Sequence, residues 1–386
     1  MRVKLGEICE IVSGSTPKTG IPEYWDGAEK WITPAELNED TYTITDSVRK
    51  LTTLGVKKTG LSPFPEGTVI LSSRAPIGKV AIAGCEMYCN QGFKNLICSQ
   101  KIYNRYLYWF LKGNTEYLNS LGRGATFKEI SKQIVASIEI NVPDMEQQMQ
   151  AAENLERVSS IIRLRKKELQ KLDDLIKARF VELFGDSEFN TMQWPTTELS
   201  ELCNVGSSKR IYQSEQCAEG VPFLRISDLN ERIDNVKNVP ELFIPTTKYN
   251  ELKEADLVPT AGDILLTSRG TLGRCYIVRQ EDEFYFQDGM ISWLSDLNNQ
   301  ITSVYLSQLF AMSGIQKQIT SLQAGSTVAY LSISMLKKLN IMLPPLDRQK
   351  QFSAFVQQTD KSKAVIQKAL DEAQLLFDSL MQKYFG

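Results

Sequence analysis

The chain carries one pattern twice, and this duplication constrains its fold more than any other feature. Leu5-Gly6-Glu7-Ile8-Cys9 returns as Leu199-Ser200-Glu201-Leu202-Cys203, 194 positions later. Gly67-Thr68-Val69-Ile70-Leu71-Ser72-Ser73-Arg74 returns after 195 positions as Gly262-Asp263-Ile264-Leu265-Leu266-Thr267-Ser268-Arg269. Tyr106-Leu107 returns as Tyr305-Leu306, and Pro143 as Pro344. A repeat of this size implies two copies of one fold, hence a pseudo-twofold molecule suited to a target that itself has two halves.

Each copy divides into a globular part and a long helix. The globular parts are residues 1–142 and, with a linker, residues 186–343. Residues 68–72 and 263–267 read as strands opened by glycine turns; residues 79–83 and 274–278 are the next strands, entered through Gly78 and Gly273. A helix is expected over 104–118 and again over 303–322. Its aromatic stripes (Tyr106, Trp109, Phe110; Tyr305, Leu309, Phe310) should face the core. The helical parts are residues 143–185 and 344–386. Both open on proline, run free of proline and glycine from Met145 to Phe184 and from Leu346 to Phe385, and stop at Gly185 and Gly386. Each rod is roughly 60 Å long at 1.5 Å per residue.

In the first helix, Leu155, Val158, Ile162, Arg165, Leu169, Leu172, Ile176, Arg179 and Leu183 follow 3-4 spacing. The second repeats it with Val356, Thr359, Lys363, Ile366, Leu370, Ala373, Phe377, Leu380 and Tyr384. This is a coiled-coil seam, and the two copies are natural partners. Its polar members, Arg165, Arg179, Thr359 and Lys363, either fix register or carry their charge out to solvent. The repeat offset drifts upward from 194 through the globular parts, then holds at 201 from Gly124/Gly325 to Gly185/Gly386. Surface loops absorb insertions, whereas one extra residue in a packed seam turns every later knob out of its hole. The pattern is that of a ruler: two divergent modules on a strut of constrained length.

Composition narrows the chemistry. The chain has no histidine, which removes Ser-His and Cys-His nucleophile pairs. Seven cysteines, an odd number, suit reduced thiols better than a disulfide framework, and Cys9 and Cys203 read as packed core. Cys85, Cys89 and Cys98 lack the paired spacing of a zinc site. Glu281-Asp282-Glu283 reads as a solvated turn rather than a metal cluster. Residues 14–20 lack the Gly-Lys-Ser/Thr ending of a phosphate loop. With 386 residues, 42% apolar and 23% charged, the chain has room for two to three ordinary globular domains. No signal peptide and no apolar run of about 18–20 residues is found, so the cytosol is the expected compartment. The net charge of −2 gives no basic footprint for nucleic acid unless charge is segregated onto one face.

Several motifs stand in a fixed order, most of them present in both copies. They are Gly14-Ser15-Thr16-Pro17-Lys18; Ser72-Ser73-Arg74-Ala75-Pro76-Ile77-Gly78, echoed by Thr267-Ser268-Arg269-Gly270-Thr271-Leu272-Gly273; and Gly124-Ala125-Thr126, echoed by Gly325-Ser326-Thr327. Pro143-Asp144-Met145-Glu146-Gln147-Gln148 and Pro344-Pro345-Leu346-Asp347-Arg348-Gln349 close the copies. In this order and duplication the chain resembles, over essentially its whole length, the DNA specificity subunit of Type I restriction–modification enzymes. The resemblance implies an α+β architecture: two pseudo-symmetric globular α/β target-recognition domains, joined by two long helices that form an antiparallel coiled coil. It implies that each domain reads one half of a split double-stranded DNA sequence, and that the helices dock two modification (methyltransferase) subunits, joined by restriction (translocase/endonuclease) subunits. It implies no cofactor in this chain, with S-adenosylmethionine, ATP and Mg²⁺ used by the partners. No Asn-Pro-Pro or Asp-Pro-Pro methyltransferase motif is present; the one Pro-Pro, Pro344-Pro345, follows Leu343. The loops also differ between copies, with Gly206-Ser207-Ser208-Lys209-Arg210 standing where the first has Gly14 to Lys18.

DNA affinity comes mostly from cations and hydroxyls on phosphates, and specificity from a few side chains at base edges. The candidates are Thr16, Lys18, Lys30, Arg74, Lys79, Asn90, Gln91, Arg123 and Lys128 in the first module. In the second they are Ser208, Lys209, Arg210, Arg225, Arg269, Arg274, Gln287 and Lys317. Arg74 and Arg269 match, which favours a shared phosphate or turn role over base reading. Asn90-Gln91 and Gln287-Asp288 differ, as reading positions should, although Gly92 and Gly289 mark a tight turn there. The segment from Tyr24-Trp25 to Trp31 reads as core rather than a groove wedge. The competing reading is a coiled-coil assembly scaffold, an inactive paralogue with little specific DNA binding.

Overall fold

A computed structural model of the chain describes residues 2–38, 41–74, 76–124, 128–235, 240–323 and 330–386. The motif residues Ala75, Ala125, Thr126 and Gly325-Ser326-Thr327 lie outside the described residues. The chain forms two compact units, residues 1–166 with 368–386, and residues 167–367. Each unit holds one globular module and a stretch of both long helices.

In the first unit a five-stranded sheet has the spatial order Cys9–Ser13, Lys94–Cys98, Val69–Leu71, Val80–Ala83, Thr43–Ile44, antiparallel except for its last pair. A second sheet sets Trp25–Ile32 between Arg49–Leu51 and Tyr88–Cys89. Alternation along Val69–Leu71 explains how the module fills. Val69 and Leu71 point into a core with Tyr106, Leu107 and Leu155, while Ile70 points to a second core with Phe64, Met87 and Phe93. The strand is apolar throughout because it is covered on both faces. Trp25 and Trp31 are buried edge to face, with ring centroids 5.2 Å apart.

The second unit repeats the plan. Its four-stranded sheet runs Asn204–Gly206, Ile291–Ser295, Ile264–Thr267, Cys275–Ile277. A three-stranded sheet sets Val221–Leu224 between Phe243–Ile244 and Tyr285–Phe286. Ile264 and Leu266 face Tyr305, Leu309 and Phe310; Leu265 faces Leu224 and Phe286. A short antiparallel ribbon closes each module, Arg2–Lys4 on Glu139–Asn141 and Thr196–Glu198 on Asn340–Met342.

The repeat extends to single hydrogen bonds. The Tyr106 hydroxyl donates to the Asn141 carbonyl at 3.0 Å, and that of Tyr305 to the Met342 carbonyl at 3.0 Å. Burial pushes the Tyr106 phenol up to about 12 and raises that of Tyr305 as well. The glutamines of the closing motifs are clamps. Gln148 accepts from Tyr103 N at 2.8 Å and donates to the Lys101 and Pro143 carbonyls at 3.1 and 2.9 Å. Gln349, wholly buried, accepts from Thr302 N and donates to the Gln300 and Pro344 carbonyls, all at 2.9 Å. A buried amide is stable only when its donors and acceptor are used, so each clamp fixes the start of a long helix to its module.

The long helices span Met145–Phe184 and Leu346–Phe385. In the first unit Ala151, Ala152 and Leu155 pack with Phe377, Leu380, Met381 and Tyr384, and Asn154 Nδ2 donates to the Tyr384 hydroxyl at 3.0 Å. Val158 and Leu370 are buried; Ile162, Arg165 and Ala373 are half-buried. In the second unit Ile176, Phe180, Leu183 and Phe184 pack on Phe352 and Val356. Within each unit an early stretch of one helix thus meets a late stretch of the other, the antiparallel sense. Leu169, Leu172 and Ile366 are half-buried. The polar seam residues of the second unit each have a role. Lys363 Nζ reaches Asp173 Oδ1 at 2.7 Å, and buried Thr359 donates back to the Phe355 carbonyl at 2.9 Å. Arg179 pairs with Glu182 at 2.7 Å and lies over the Phe355 ring. Phe180, Phe184 and Phe352, outside the nominal seam, are wholly buried and pack edge to face.

One expectation is corrected. The helices over 104–118 and 303–322 are each two helices, Asn104–Gly113 with Thr115–Ser120 and Ser303–Phe310 with Ser313–Leu322. At the breaks Asn114 Nδ2 takes the Phe110 carbonyl at 2.8 Å, and Gln316 Nε2 takes the Phe310 carbonyl at 2.7 Å. Side-chain amides replace the helical donors there, while the apolar stripe continues across the break and hides it from periodicity.

Candidate nucleic-acid interface

Two loops meet at equivalent places in both modules. In the first, residues 14–18 lie against residues 90–92. Gly14 is required there, since a Cβ would stand 1.9 Å from the Cys89 carbonyl oxygen. Ser15 N donates to that carbonyl at 3.1 Å, and Trp31 Nε1 donates to the Ser15 carbonyl at 3.1 Å. Asn90 Oδ1 accepts from Gly92 N at 2.8 Å, an Asx turn. On this frame the Thr16 hydroxyl donates to Gln91 Oε1. Gln91 and Lys18 are exposed.

In the second module residues 206–210 lie against residues 287–289. The Ser207 hydroxyl donates to the Ile291 carbonyl at 3.1 Å, and buried Ser208 donates to the Phe286 carbonyl at 2.7 Å. Lys209 is held by its backbone, its N–H donating to the Tyr285 hydroxyl at 2.9 Å. Gln287 N donates to the Leu224 carbonyl. Arg210 Nε donates to Asp288 Oδ2 at 2.9 Å. The backbone frame is shared, with Asn90 N donating to the Ile32 carbonyl at 3.1 Å as Gln287 N does to that of Leu224, and the polar side chains that bridge the loops are not.

The matched arginines show a second, correlated difference. Lys94 is buried and donates to Ser73 Oγ at 3.2 Å and Glu129 Oε1 at 3.1 Å, with Arg74 3.9 Å from the same carboxylate. In the second module Ser292 occupies the position of Lys94, and its hydroxyl meets Ser268 Oγ at 2.6 Å. Tyr330 then replaces Glu129, and the Arg269 guanidinium lies over its ring, 5.0 Å from the centroid. Two cations and one carboxylate in one module become one cation and a ring in the other, so the net charge at the loop is kept. The carboxylate is needed only where a buried ammonium must be paired. Lys94→Ala is accordingly expected to cost about 1–2 kcal/mol, the usual penalty for an orphaned buried partner discounted because Glu129 is partly exposed. Denaturant unfolding would check this, and the pair Lys94→Ser with Glu129→Tyr should recover most of the loss.

The remaining candidates divide by what already holds them. Lys30 donates to the Thr45 carbonyl at 2.7 Å and to Cys85 Sγ at 3.2 Å; Lys79 donates to the Pro34 and Leu37 carbonyls at 2.9 and 2.6 Å. Each ammonium group has two partners within the fold. Arg225 binds Asp228 and Glu241, Arg274 binds Asp234 and Asn230, and Lys317 binds Glu188. Arg123 pairs through its backbone with Glu129, and its side chain and that of Lys128 are exposed beside it. Asp282 faces inward to Arg232 and the Tyr276 hydroxyl, both at 2.8 Å, so the acidic run is a structural turn. Sequence reasoning missed Lys94, Glu129 and Tyr330. Position-by-position comparison of the copies was the signal that would have found them. Burial pushes the Cys89 and Cys203 thiols up to about 12 and raises that of Cys275, while the hydrogen bond with Cys98, followed by burial, raises that of Cys9, so these sulfurs stay protonated. No helix among the described residues is long and apolar enough to cross a membrane.

The family model for the Type I restriction modification DNA specificity domain matches residues 1–174 and again residues 192–374. The chain is 29% identical over 403 aligned positions to the specificity subunit of the Methanocaldococcus jannaschii Type I restriction enzyme MjaIX, covering 98% of this chain and 91% of that one. It is 24% identical to the MjaVIII specificity subunit of the same organism, covering 68% and 67%. Its fold is similar to the crystal structure of the Type I restriction–modification system S subunit from M. genitalium, with a TM-score of 0.60 at 16% identity over 100% of this chain and 96% of that one. With two modules of one fold and a match repeated over both, the chain belongs to the Type I restriction modification DNA specificity family and is a DNA sequence-recognition subunit.

Proposed function

We propose that each module reads one half of a two-part double-stranded DNA target, while the paired long helices set the gap between the halves. The observation that carries this reading is the loop pair: one frame, built twice, bridged by different polar side chains. Phosphate grip is assigned to exposed Lys18, Lys209, Arg123 and Lys128, and to the matched Arg74 and Arg269. The long helices dock two modification (methyltransferase) subunits, which restriction subunits join. Exposed Met149, Ile161 and Leu164 in one unit, and Leu175, Val181 and Val365 in the other, supply apolar surface for that docking. This chain supplies recognition and no chemistry; S-adenosylmethionine belongs to the methyltransferase partner, ATP and Mg²⁺ to the restriction partner, and the complex works in the cytoplasm. A mobility-shift titration of the complex with its methyltransferase tests the reading. Salt-sensitive binding with a preferred sequence is expected. Equal binding to all sequences would leave only an assembly scaffold.

A further inference from the structure

The two loop pairs differ in the donor and acceptor patterns they turn outward. In the second module Asp288, a carboxylate 21% exposed, takes the Nε–H of Arg210, whose side chain is 65% exposed. That contact sets the plane of the guanidinium. Its two terminal nitrogens make no hydrogen bond to another described residue, so they remain as a two-pronged donor. In the major groove only guanine offers two adjacent acceptors, O6 and N7. In the first module the Thr16 hydroxyl donates to Gln91 Oε1. The amino group and the second lone pair of that oxygen stay available, a donor beside an acceptor. This is the complement of adenine N7 and N6. Gln91 and Asp288 occupy the same position of the repeat, next to Gly92 and Gly289, so the module frame delivers both pairs to equivalent places.

Building on the two-part reading above, we propose that Arg210, oriented by Asp288, reads a guanine in one half-site and that Gln91, oriented by Thr16, reads an adenine in the other. Thr16 and Asp288 are positioning residues.

Methylome sequencing of a host carrying the complete system, with single variants of this subunit, tests the assignment. Arg210→Ala should relax one G·C position in one half-site, and Gln91→Ala one A·T position in the other. The preference at that position should fall roughly tenfold to a hundredfold, with every other position unchanged. Asp288→Asn and Thr16→Val should relax the same positions to a smaller extent, which a purely structural role would not do. The untouched half-site reports folding and assembly in each variant. Where an alanine variant methylates nothing, Arg210→Gln or Gln91→Glu, which keep side-chain bulk, takes its place. An unchanged motif methylated less often, or loss of all methylation in both variants of a residue, overturns the inference. A wild-type motif without two parts overturns the two-part reading itself.

Discussion

Phe352→Ala is expected to lower the stability of the second unit by about 3–5 kcal/mol, the range for removing a buried ring from a core. The ring is wholly buried between Phe180 and Phe184, with both centroid distances at 5.5 Å. Phe180 in turn stacks on Tyr305 at 5.6 Å, so one side chain joins both long helices to the sheet-covering helix of the module. Truncation leaves a void walled by rigid rings that collapse poorly, which places the cost toward the upper end of the range. Phe352→Leu should cost considerably less because it refills most of the volume. Leu375→Ala, at an exposed position of the same helix, should stay within about 0.5 kcal/mol. Denaturant midpoints at constant m-value would measure all three. A loss below about 1 kcal/mol for Phe352→Ala would mean that the ring does not join the helices in solution.

Inserting four residues into both long helices, after Leu164 and after Val365, is expected to widen the gap between the two half-sites while leaving each half-site unchanged. The two points correspond in the repeat and lie at the middle of each 40-residue helix. Four residues add about 6 Å and little more than one turn, so the seam stays nearly in phase. On DNA that length corresponds to about two base pairs. Two residues instead would turn the seam to the far side of the helix and should abolish assembly. Methylome sequencing reads both outcomes. Altered half-sites with an unaltered gap would mean that the helices do not act as the spacer.

Some of the molecule was legible before any coordinates. The two long helices run from Met145 to Phe184 and from Leu346 to Phe385, between the proline that opens each and the glycine that stops it. The apolar stripe of Tyr106 and Tyr305 faces the core because helical periodicity and burial are the same physical fact. The broken helices were not legible, since Asn114 and Gln316 act through side-chain hydrogen bonds that leave the apolar pattern intact.

The sequence by itself determined that there are two copies of one module and where each long helix begins and ends, because these follow from short-range pattern and backbone restriction. Only the tertiary structure decided which polar side chains remain available to a ligand. Lys79 and Lys18 look alike in the chain, yet one ammonium is turned onto two carbonyls and the other is exposed. Arg210 finds Asp288, and Lys94 finds Glu129, across 78 and 35 positions of chain. A charge is governed by whatever folds beside it, and no local pattern carries that information.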